Sequence, residues 1–524
     1  MCTHLLDRYS DCDFIQRPQE NGGVSPFVIE ESCEENTPER IEAFRQNLLS
    51  ADPTIDERIP QSDNSIGDVD RESSPQAQAF RWMIENEALD CLTPLSQVQR
   101  FALSSFYFGT DLSRDGQWME PEKSECEWEG YNRFNLCLYT GELGAMEIRY
   151  LGFNNSIIIP PELAILSSLR SFTMKEEIFA PLPSTLPSVL GSLDKLTRLD
   201  LGGVFSVINF EGEMPDELAQ LTNLKHLSLG NKINGTMISE IGNLNKLTRL
   251  ELRCKLTGTL PASIGKLTDL NYLYLYNNGL EGPIPDEFFS LTKLEHLFMQ
   301  DNNFDSMPSG FGKLTNLKWL RYSRNPIVGP LPKEMGALSR LEYLVMGMPI
   351  SGGMNPQDES VPEGALDSSL PEEWSGMTSL KELYLEGQGV TGPLPASWGD
   401  GMKSLSILDL GTNYITGTLP PEWSGMESIR RVYLQNNGLT GTIPSEYGSL
   451  SNLDLFFLNH NNDMYGTIPS IRSGGLSIYF GGTNITFLDG SVPSRDACGF
   501  KYDSETKCYN SWPEYCIEQW CRDE

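Results

Sequence analysis

The side chains most capable of acid–base catalysis are spread thinly along this 524-residue chain. Its histidines are His4, His226, His296 and His460, and none of them lies within a recognisable catalytic motif. The sequence contains no zinc-protease, serine-hydrolase, nucleotide-binding-loop or kinase signature. We therefore predict no catalytic residues, no metal site, no cofactor and no enzyme activity.

Cysteine chemistry is concentrated near the end of the chain, at Cys498, Cys508, Cys516 and Cys521. Structural zinc sites usually contain cysteines paired as C-x₂-C, and that spacing is missing here. Four clustered cysteines instead predict two disulfide bonds that staple a small terminal cap, with three alternative pairings.

The charge balance excludes several classes of partner. The chain has 72 Asp and Glu against 39 Lys and Arg, a formal net charge of -33. Binding to nucleic acid or to an anionic membrane needs clustered basic residues, so we expect neither. No apolar stretch is long enough to span a membrane. The first twenty residues lack the basic start and apolar core of a signal peptide.

Residues 145–495 repeat themselves, mostly every 23–25 residues. Two of the segments that align are LTDLNYLYLYNNGLEGPIP from Leu267 and MESIRRVYLQNNGLTGTIP from Met426. The same apolar position recurs at Phe172, Leu199, Leu227, Leu250, Leu273, Leu297, Leu320, Leu344, Leu383, Leu408, Val432 and Phe456, with weaker repeats near Ile148 and Ile478. Because a short repeat cannot bury its own apolar face, neighbouring repeats must stack. The pattern predicts an α/β solenoid.

Each repeat begins with alternating leucines, which predict a short strand with its leucines inward and the intervening residues outward. A polar residue closes the strand at Asn231, Asn278, Asn302, Asn325, Gln388, Asn413 and Asn437. A buried amide there needs donors and acceptors, and we expect backbone groups of adjacent coils to provide them. Cys254 occupies the same position, and we predict a buried structural thiol.

The second half of each repeat is G-x-[IL]-P, as in Gly282-Pro283-Ile284-Pro285 and Gly441-Thr442-Ile443-Pro444. With the preceding N-x-L-x-G, this signature resembles the plant-type leucine-rich-repeat family. That family includes ectodomains of receptor-like kinases and receptor-like proteins, and secreted inhibitors of cell-wall-degrading enzymes. The resemblance implies a right-handed superhelix of about 14 repeats with a concave parallel sheet.

The flanking segments extend the resemblance. Cys126-Glu127-Trp128-Glu129-Gly130 and then Cys137 look like the N-terminal cap of this family, which implies a Cys126–Cys137 disulfide. The lead-in SPQAQAFRWM is similar to leucine-rich-repeat proteins of diatom-like algae.

We divide the chain into four segments. Residues 1–74 are acidic and predicted to be disordered, although Ile41, Phe44 and Leu48 recur at helical spacing and favour a short helix. Residues 75–144 form a helical N-terminal cap with the cysteine pair, residues 145–495 form the repeats, and residues 496–524 form a cysteine-rich C-terminal cap.

Outward positions of consecutive strands form columns on the concave face, and the centre of two columns is rich in aromatic residues and arginine. Such residues are enriched where binding energy concentrates. The alternative is an aromatic ladder that only stabilises the sheet. The candidate ligand-binding residues are Arg249, Tyr272, Tyr274, His296, Phe298, Trp319, Arg321 and Tyr343.

These features favour a non-catalytic recognition module that binds a protein, a peptide or a glycan, of the receptor or defence type, together with a co-receptor. The alternatives are a secreted inhibitor of a cell-wall-degrading enzyme and an intracellular interaction scaffold. Clustered cysteines and glycosylation sequons at Asn154, Asn234 and Asn484 favour an extracellular or cell-surface location. The missing signal peptide favours a cytoplasmic one.

Overall fold

The computed structural model describes residues 37–53, 55, 74–86, 94–109, 145–151, 159–202, 207–230, 232–347, 366, 368–471, 476–486, 502–503 and 508–509. They divide into two compact units, Met1–Lys255 and Leu256–Glu524. Both units contain short parallel strands that alternate with single turns of helix. The chain is therefore an α/β solenoid, as the period of its leucines predicts.

Three helices begin the first unit: α1 Pro38–Ala51, α2 Pro75–Asn86 and α3 Pro94–Gly109. Helix α1 has proline in its first turn, and its N-cap Thr37 accepts a hydrogen bond from the backbone N–H of Arg40.

The three helices share an aromatic core. Phe44 stacks on Phe80 at 5.3 Å between ring centroids and meets Phe101 edge-on at 6.3 Å. All three rings are buried. The short helix that Ile41, Phe44 and Leu48 favour is therefore confirmed. The prediction of disorder is wrong for residues 38–51, because the apolar face of α1 is covered by α2 and α3.

A buried hydrogen bond joins these helices to the repeats. Gln76 Nε2 in α2 donates to Glu162 Oε2 at 2.9 Å, and both side chains are buried. Glu162 lies in the first single-turn helix of the repeats, Pro161–Ile165.

The strands of the first unit run parallel, in the order β7-β5-β3-β2, and β2 also pairs with β1. A second row continues from the long strand β2 through β4 to β6. Their bounds are β1 Ala145–Leu151, β2 Ser171–Thr185, β3 Arg198–Asp200, β4 Val207–Glu213, β5 His226–Gly230, β6 Lys232–Asn234 and β7 Arg249–Arg253.

The second unit contains a nine-stranded parallel sheet in the order β23-β21-β19-β17-β15-β13-β12-β11-β9. A flanking parallel sheet has the order β14-β16-β18-β20-β22-β24, β8 pairs with β10, and β25 pairs antiparallel with β26. The bounds are β8 Thr257–Gly258, β9 Tyr272–Tyr274, β10 Gly279–Leu280, β11 His296–Phe298, β12 Trp319–Arg321, β13 Tyr343–Val345, β14 Ser368–Ser369, β15 Glu382–Tyr384, β16 Val390–Pro393, β17 Ile407–Asp409, β18 Tyr414–Gly417, β19 Arg431–Tyr433, β20 Gly438–Gly441, β21 Leu455–Phe457, β22 Asp463–Thr467, β23 Ser477–Tyr479, β24 Asn484–Thr486, β25 Tyr502–Asp503 and β26 Cys508–Tyr509.

Single-turn helices return the chain from one strand to the next. One is α-helical (α4, Trp398–Gly401), and the others that the structure describes are 3₁₀ turns at Pro161–Ile165, Ser188–Ser192, Asp216–Gln220, Ile241–Asn243, Ala262–Lys266, Asp286–Ser290, Ser309–Lys313, Lys333–Ala337, Glu372–Gly376, Pro421–Gly425 and Ser445–Ser449. Most come directly after the proline of the G-x-[IL]-P signature. The glycine of that signature has positive φ, 71° at Gly282 and 78° at Gly441, which explains the choice of residue.

Three tryptophans stack on the helical side of the second unit. The rings of Trp374, Trp398 and Trp423 lie 6.2 and 6.4 Å apart and nearly parallel. Each indole N–H donates to a proline carbonyl of the preceding repeat, at 2.8–3.0 Å. The rings therefore fill the core without leaving a buried donor unpaired.

The predicted amide ladder is confirmed in the second unit. Asn325 Nδ2 donates to the carbonyls of Met299 in the preceding coil, at 3.1 Å, and of Tyr322 in its own, at 2.9 Å. Its Oδ1 accepts from the backbone N–H of Phe304 at 3.1 Å. The same arrangement recurs at Asn302, Asn413, Asn437 and Asn461. Asn278 donates to Leu275 O in its own coil and accepts from Leu256 N–H, whereas Gln388 donates to Glu386 O and does not repeat the pattern. Asn231 lies outside the described residues.

The prediction for Cys254 is also confirmed. Its thiol is buried and donates to the carbonyl of Leu229 at 3.5 Å. Burial raises the pKa of Cys254 to about 12, so the thiolate does not form near neutral pH.

The ladder leads to a stability prediction. Asn325→Ala removes the partners of a buried N–H and two carbonyls, so we expect it to lower the free energy of unfolding by about 2–4 kcal/mol. The matched control is Asn316→Ala. Asn316 is half-buried, and its hydrogen bonds to Thr292 O and from Arg340 Nη1 are exposed to solvent, so its loss should cost under about 1 kcal/mol. Urea denaturation of both variants measures the difference, and equal losses would contradict the role of the ladder.

Candidate ligand-binding site

Four neighbouring strands of the second unit present aromatic side chains on the face away from the leucine core. In β9, β11, β12 and β13 the central leucine is fully buried, and the first residue is half-buried on the other face. The parallel register sets His296 opposite Tyr272 and Trp319, and Trp319 opposite Tyr343. Equivalent residues of successive repeats therefore lie side by side.

The first row is one continuous stack of rings. Tyr272 and His296 are 4.8 Å apart between centroids, His296 and Trp319 are 6.0 Å apart, and Trp319 and Tyr343 are 3.8 Å apart. Their planes differ by only 15–23°. Stacking of this kind stabilises the ring positions and orders the surface before any ligand arrives.

The second row runs beside it along the same strands. Tyr274 stacks on Phe298 at 4.6 Å, and the guanidinium carbon of Arg321 lies 5.2 Å from the centre of the Phe298 ring. Arg321 is exposed, so its charge faces solvent while its plane is supported by an aromatic ring. We call Tyr272, Tyr274, His296, Phe298, Trp319, Arg321 and Tyr343 the aromatic ridge.

Seven of the eight candidate residues thus meet in the second unit, and Arg249 lies in the first. There Arg249 Nη2 pairs with Glu251 at 3.0 Å, and Arg198 pairs with Asp200 at 2.5 Å. Burial, and then the charge of Arg198, lower the pKa of His226 to about 4. This face of the first unit is an ion-paired network, not an aromatic surface.

Two carboxyl groups farther along the same sheet are not among the residues that the sequence singles out. Asp409 is 0% exposed at the end of β17, and Glu386 lies just after β15, the neighbouring strand. Burial raises the pKa of Glu386 to about 7, although a hydrogen bond from the Thr412 side chain acts in the opposite direction. Burial and the charge of Glu386 raise the pKa of Asp409 well above its usual range.

The repeats match known sequence families. A family model described as a leucine-rich repeat region covers residues 237–421, and a second, described as a leucine-rich repeat, covers residues 428–453. These residues are leucine-rich repeats. No curated protein is a significant match to it.

Solved leucine-rich-repeat structures share the fold. A plant peptide hormone receptor, RGFR1 in complex with RGF2, is 24% identical over 66% of this chain and 52% of the receptor, with a TM-score of 0.54. A TDR receptor is 28% identical over 65% and 54%, with a TM-score of 0.53. A leucine-rich-repeat protein of Leptospira interrogans is 26% identical over 66% and 79%, with a TM-score of 0.50. The chain spans about half the length of the two receptor structures.

Several sequence predictions concern other parts of this chain. Among the predicted half-cystines, Cys508 is described only as backbone in β26, and the remaining five lie outside the described residues: Cys126, Cys137, Cys498, Cys516 and Cys521. Asn154 also lies outside them, whereas Asn234 and Asn484 are exposed. No helix in the described part of the chain has the length and apolar character needed to cross a membrane.

The acid pair leads to a pH prediction. Folded Glu386 holds its proton up to about pH 7, whereas the unfolded chain releases it near 4.5, so the folded state binds more protons between these values. The stability of the folded chain should therefore fall as the pH rises from about 4.5 to 7. Over this pH range, Glu386→Gln should lose about 1–3 kcal/mol less stability than the parent does.

Urea denaturation at several pH values measures this difference between Glu386→Gln and the parent. The control is Glu427→Gln, an exposed glutamate of the same unit, which should behave like the parent. A parallel pH dependence for Glu386→Gln and the parent would show that Glu386 titrates normally in the folded chain.

Proposed function

We propose that this protein is a non-catalytic recognition module that binds an extended peptide segment along the aromatic ridge. The observation that carries the proposal is the pair of stacked rows on the outward face of four adjacent strands. An extended chain laid across parallel strands meets an equivalent position about every 4.8 Å, close to the rise of one to two peptide residues.

The energetic argument rests on rigidity. Rings that are already stacked lose little freedom when a ligand covers them, so more of the contact energy appears as affinity. Trp319 and Tyr272 are the expected anchors, since large aromatic side chains dominate binding hot spots. Arg321 adds a charge that pairs with a carboxylate of the ligand.

The similarity to receptor structures supports a receptor-type role. The structure of one such relative is described as a complex of a peptide hormone receptor with its peptide, and the TDR receptor is 28% identical to this chain. We extend the proposal to a cell-surface or secreted protein that engages a peptide and, through it, a co-receptor. Exposed sequon asparagines at Asn234 and Asn484 support this location.

The ridge is tested by selecting peptides from a random displayed library on the full-length protein. Bound peptides are then compared on Trp319→Ala and Tyr272→Ala, each of which should weaken binding by about 2 kcal/mol, or thirtyfold. The matched control is Tyr414→Ala, because Tyr414 is 67% exposed on the flanking sheet and does not belong to the ridge.

Thermal melting separates binding from folding. Leu273→Ala removes a fully buried side chain and should lower stability by about 2–5 kcal/mol, whereas Trp319→Ala should melt near the parent. The opposite result is that Trp319→Ala binds peptides as tightly as the parent and melts at a much lower temperature. That result would show that the ridge is a structural ladder and that peptides bind elsewhere.

The proposed location leads to a covalent prediction. On secretion from a eukaryotic host, the protein should carry glycans at Asn234 and Asn484 and disulfides at Cys126–Cys137 and among the last four cysteines. Non-reducing peptide mapping after enzymatic deglycosylation detects both modifications. Six free, alkylatable thiols in protein from its native source would favour the intracellular scaffold instead.

A further inference from the structure

A second polar site lies on the same sheet as the aromatic ridge, beyond β13. The register sets Asp409 opposite Tyr384 on one side and opposite Tyr433 on the other, and both rings are 6% exposed. Glu386 lies two residues beyond Tyr384, in the coil that bonds to Gly411 through the backbone N–H of Gly387. Asp409 is therefore flanked by two tyrosines, and Glu386 lies in the adjoining coil.

Glu386 accepts a hydrogen bond from the Thr412 side chain, but neither carboxyl group has a basic partner in the described part of the chain. Asp409 Oδ1 accepts the backbone N–H of Gly411 at 3.2 Å, but buried Oδ2 accepts no hydrogen bond. Within the described part of the chain, no salt bridge reaches Asp409 or Glu386. The nearby basic residue Arg431 bonds to the hydroxyl of Tyr433 instead. Two acids this close do not both ionise without a counter-charge, so the pair holds a proton when it is empty, and a bound cation draws both groups into the carboxylate form.

A third acceptor comes from the next repeat. Gln435 is 7% exposed, and its buried Oε1 also has no hydrogen-bond partner. Its amide lies over Gly411, where Nε2 is 2.2 Å from the position that a Cβ would occupy, so only glycine leaves room for it. Oε1 has no hydrogen bond that rotation of this side chain would break, and Glu386 in the neighbouring coil is partly exposed.

We propose that Glu386, Asp409 and Gln435 form a subsite that binds the guanidinium group of an arginine side chain. Two carboxylates and an amide oxygen present acceptors to a planar group with five donors, and Tyr433 and Tyr384 present rings on which that plane stacks. The net charge of -33 attracts basic ligands to the protein from a distance.

Other cations fit this site less well. Calcium takes six to eight oxygen ligands, and no group of three or more His, Cys, Asp or Glu residues able to hold a metal occurs in the described ranges. An ammonium group offers three donors and no plane for the tyrosine rings.

The subsite rests on the proposed function for one point, that the ligand is a peptide. It adds that this peptide carries an arginine beyond the segment that covers the ridge. Binding of an isolated arginine side chain needs no such peptide, so the subsite is testable by itself.

The probe is N-acetyl-arginine amide, titrated into the full-length protein and monitored by ligand-detected NMR. We expect a Kd of about 1 mM for this small ligand. N-acetyl-citrulline amide, which is neutral and nearly the same shape, should bind at least tenfold more weakly. Because Glu386 must lose its proton to hold the cation, affinity should fall as the pH decreases from 8 to 5.5.

Asp409→Asn and Glu386→Gln each keep the size of the side chain and should weaken arginine amide binding at least tenfold. Asp454→Asn is the matched control, since Asp454 is a carboxylate of the same unit already paired with Arg430 at 2.7 Å. Thermal melting establishes whether each variant is folded. If Asp409→Asn does not fold, the binding measurement on Glu386→Gln decides the test.

Equal binding of the citrulline and arginine amides, or unchanged arginine binding in both acid variants, overturns the subsite. Displacement of the arginine amide by 1 mM CaCl₂ at constant ionic strength also overturns it, in favour of a metal site. Trp319→Ala separates the two proposals, because it should weaken peptide binding to the ridge about thirtyfold while leaving the arginine amide bound.

Discussion

The surface of the second unit depends on one constraint of the backbone: each strand of its nine-stranded sheet is only three residues long, and the carbonyl groups that follow it need other hydrogen-bond partners. The asparagine amide at that point satisfies them, as when Asn302 donates to Leu275 O and Met299 O while accepting from Leu280 N–H. The preceding residue takes positive φ, at Asn277, Asp301 and Asn436 among others. Because each amide bonds to the coil before it, the strands stay in register, and that register aligns both the ridge and the acid pair.

Because the repeats are aligned, residues at equivalent positions of successive repeats become neighbours on the surface. Once equivalent positions lie at strand spacing, a column of aromatic residues becomes a stack, as it does again at Tyr433, Phe457 and Tyr479. A column of alternating charges becomes a ladder of ion pairs, with Lys318 on Glu295 and Lys381 on Glu342. These exposed pairs contribute little to stability, but they keep the strand entrances hydrated beside an apolar core.

Period and polarity are enough to predict the repeating features of the fold. Alternating leucines predict the strands, the closing asparagines predict the ladder, and column order predicts which residues share the ridge. Features that need three-dimensional neighbours cannot be predicted in this way. The composition around helix α1 predicts disorder because its partners, α2 and α3, come from later in the chain. In the sequence Asp409 resembles any outward aspartate, because the residues beside it, Tyr384 and Tyr433, come from neighbouring repeats.

The two sites on this sheet differ in what they reveal about function. Stacked rings lower the free energy of the folded chain, so the ridge alone is compatible with a purely structural role. The acid pair does the opposite: burying Asp409 beside Glu386 without a basic partner raises the free energy of the folded state. Replacing either acid with a neutral residue would remove that cost without disturbing the leucine core. A feature that destabilises the fold is better explained by a ligand than by packing, and it directs attention from the ridge to the repeats beyond it.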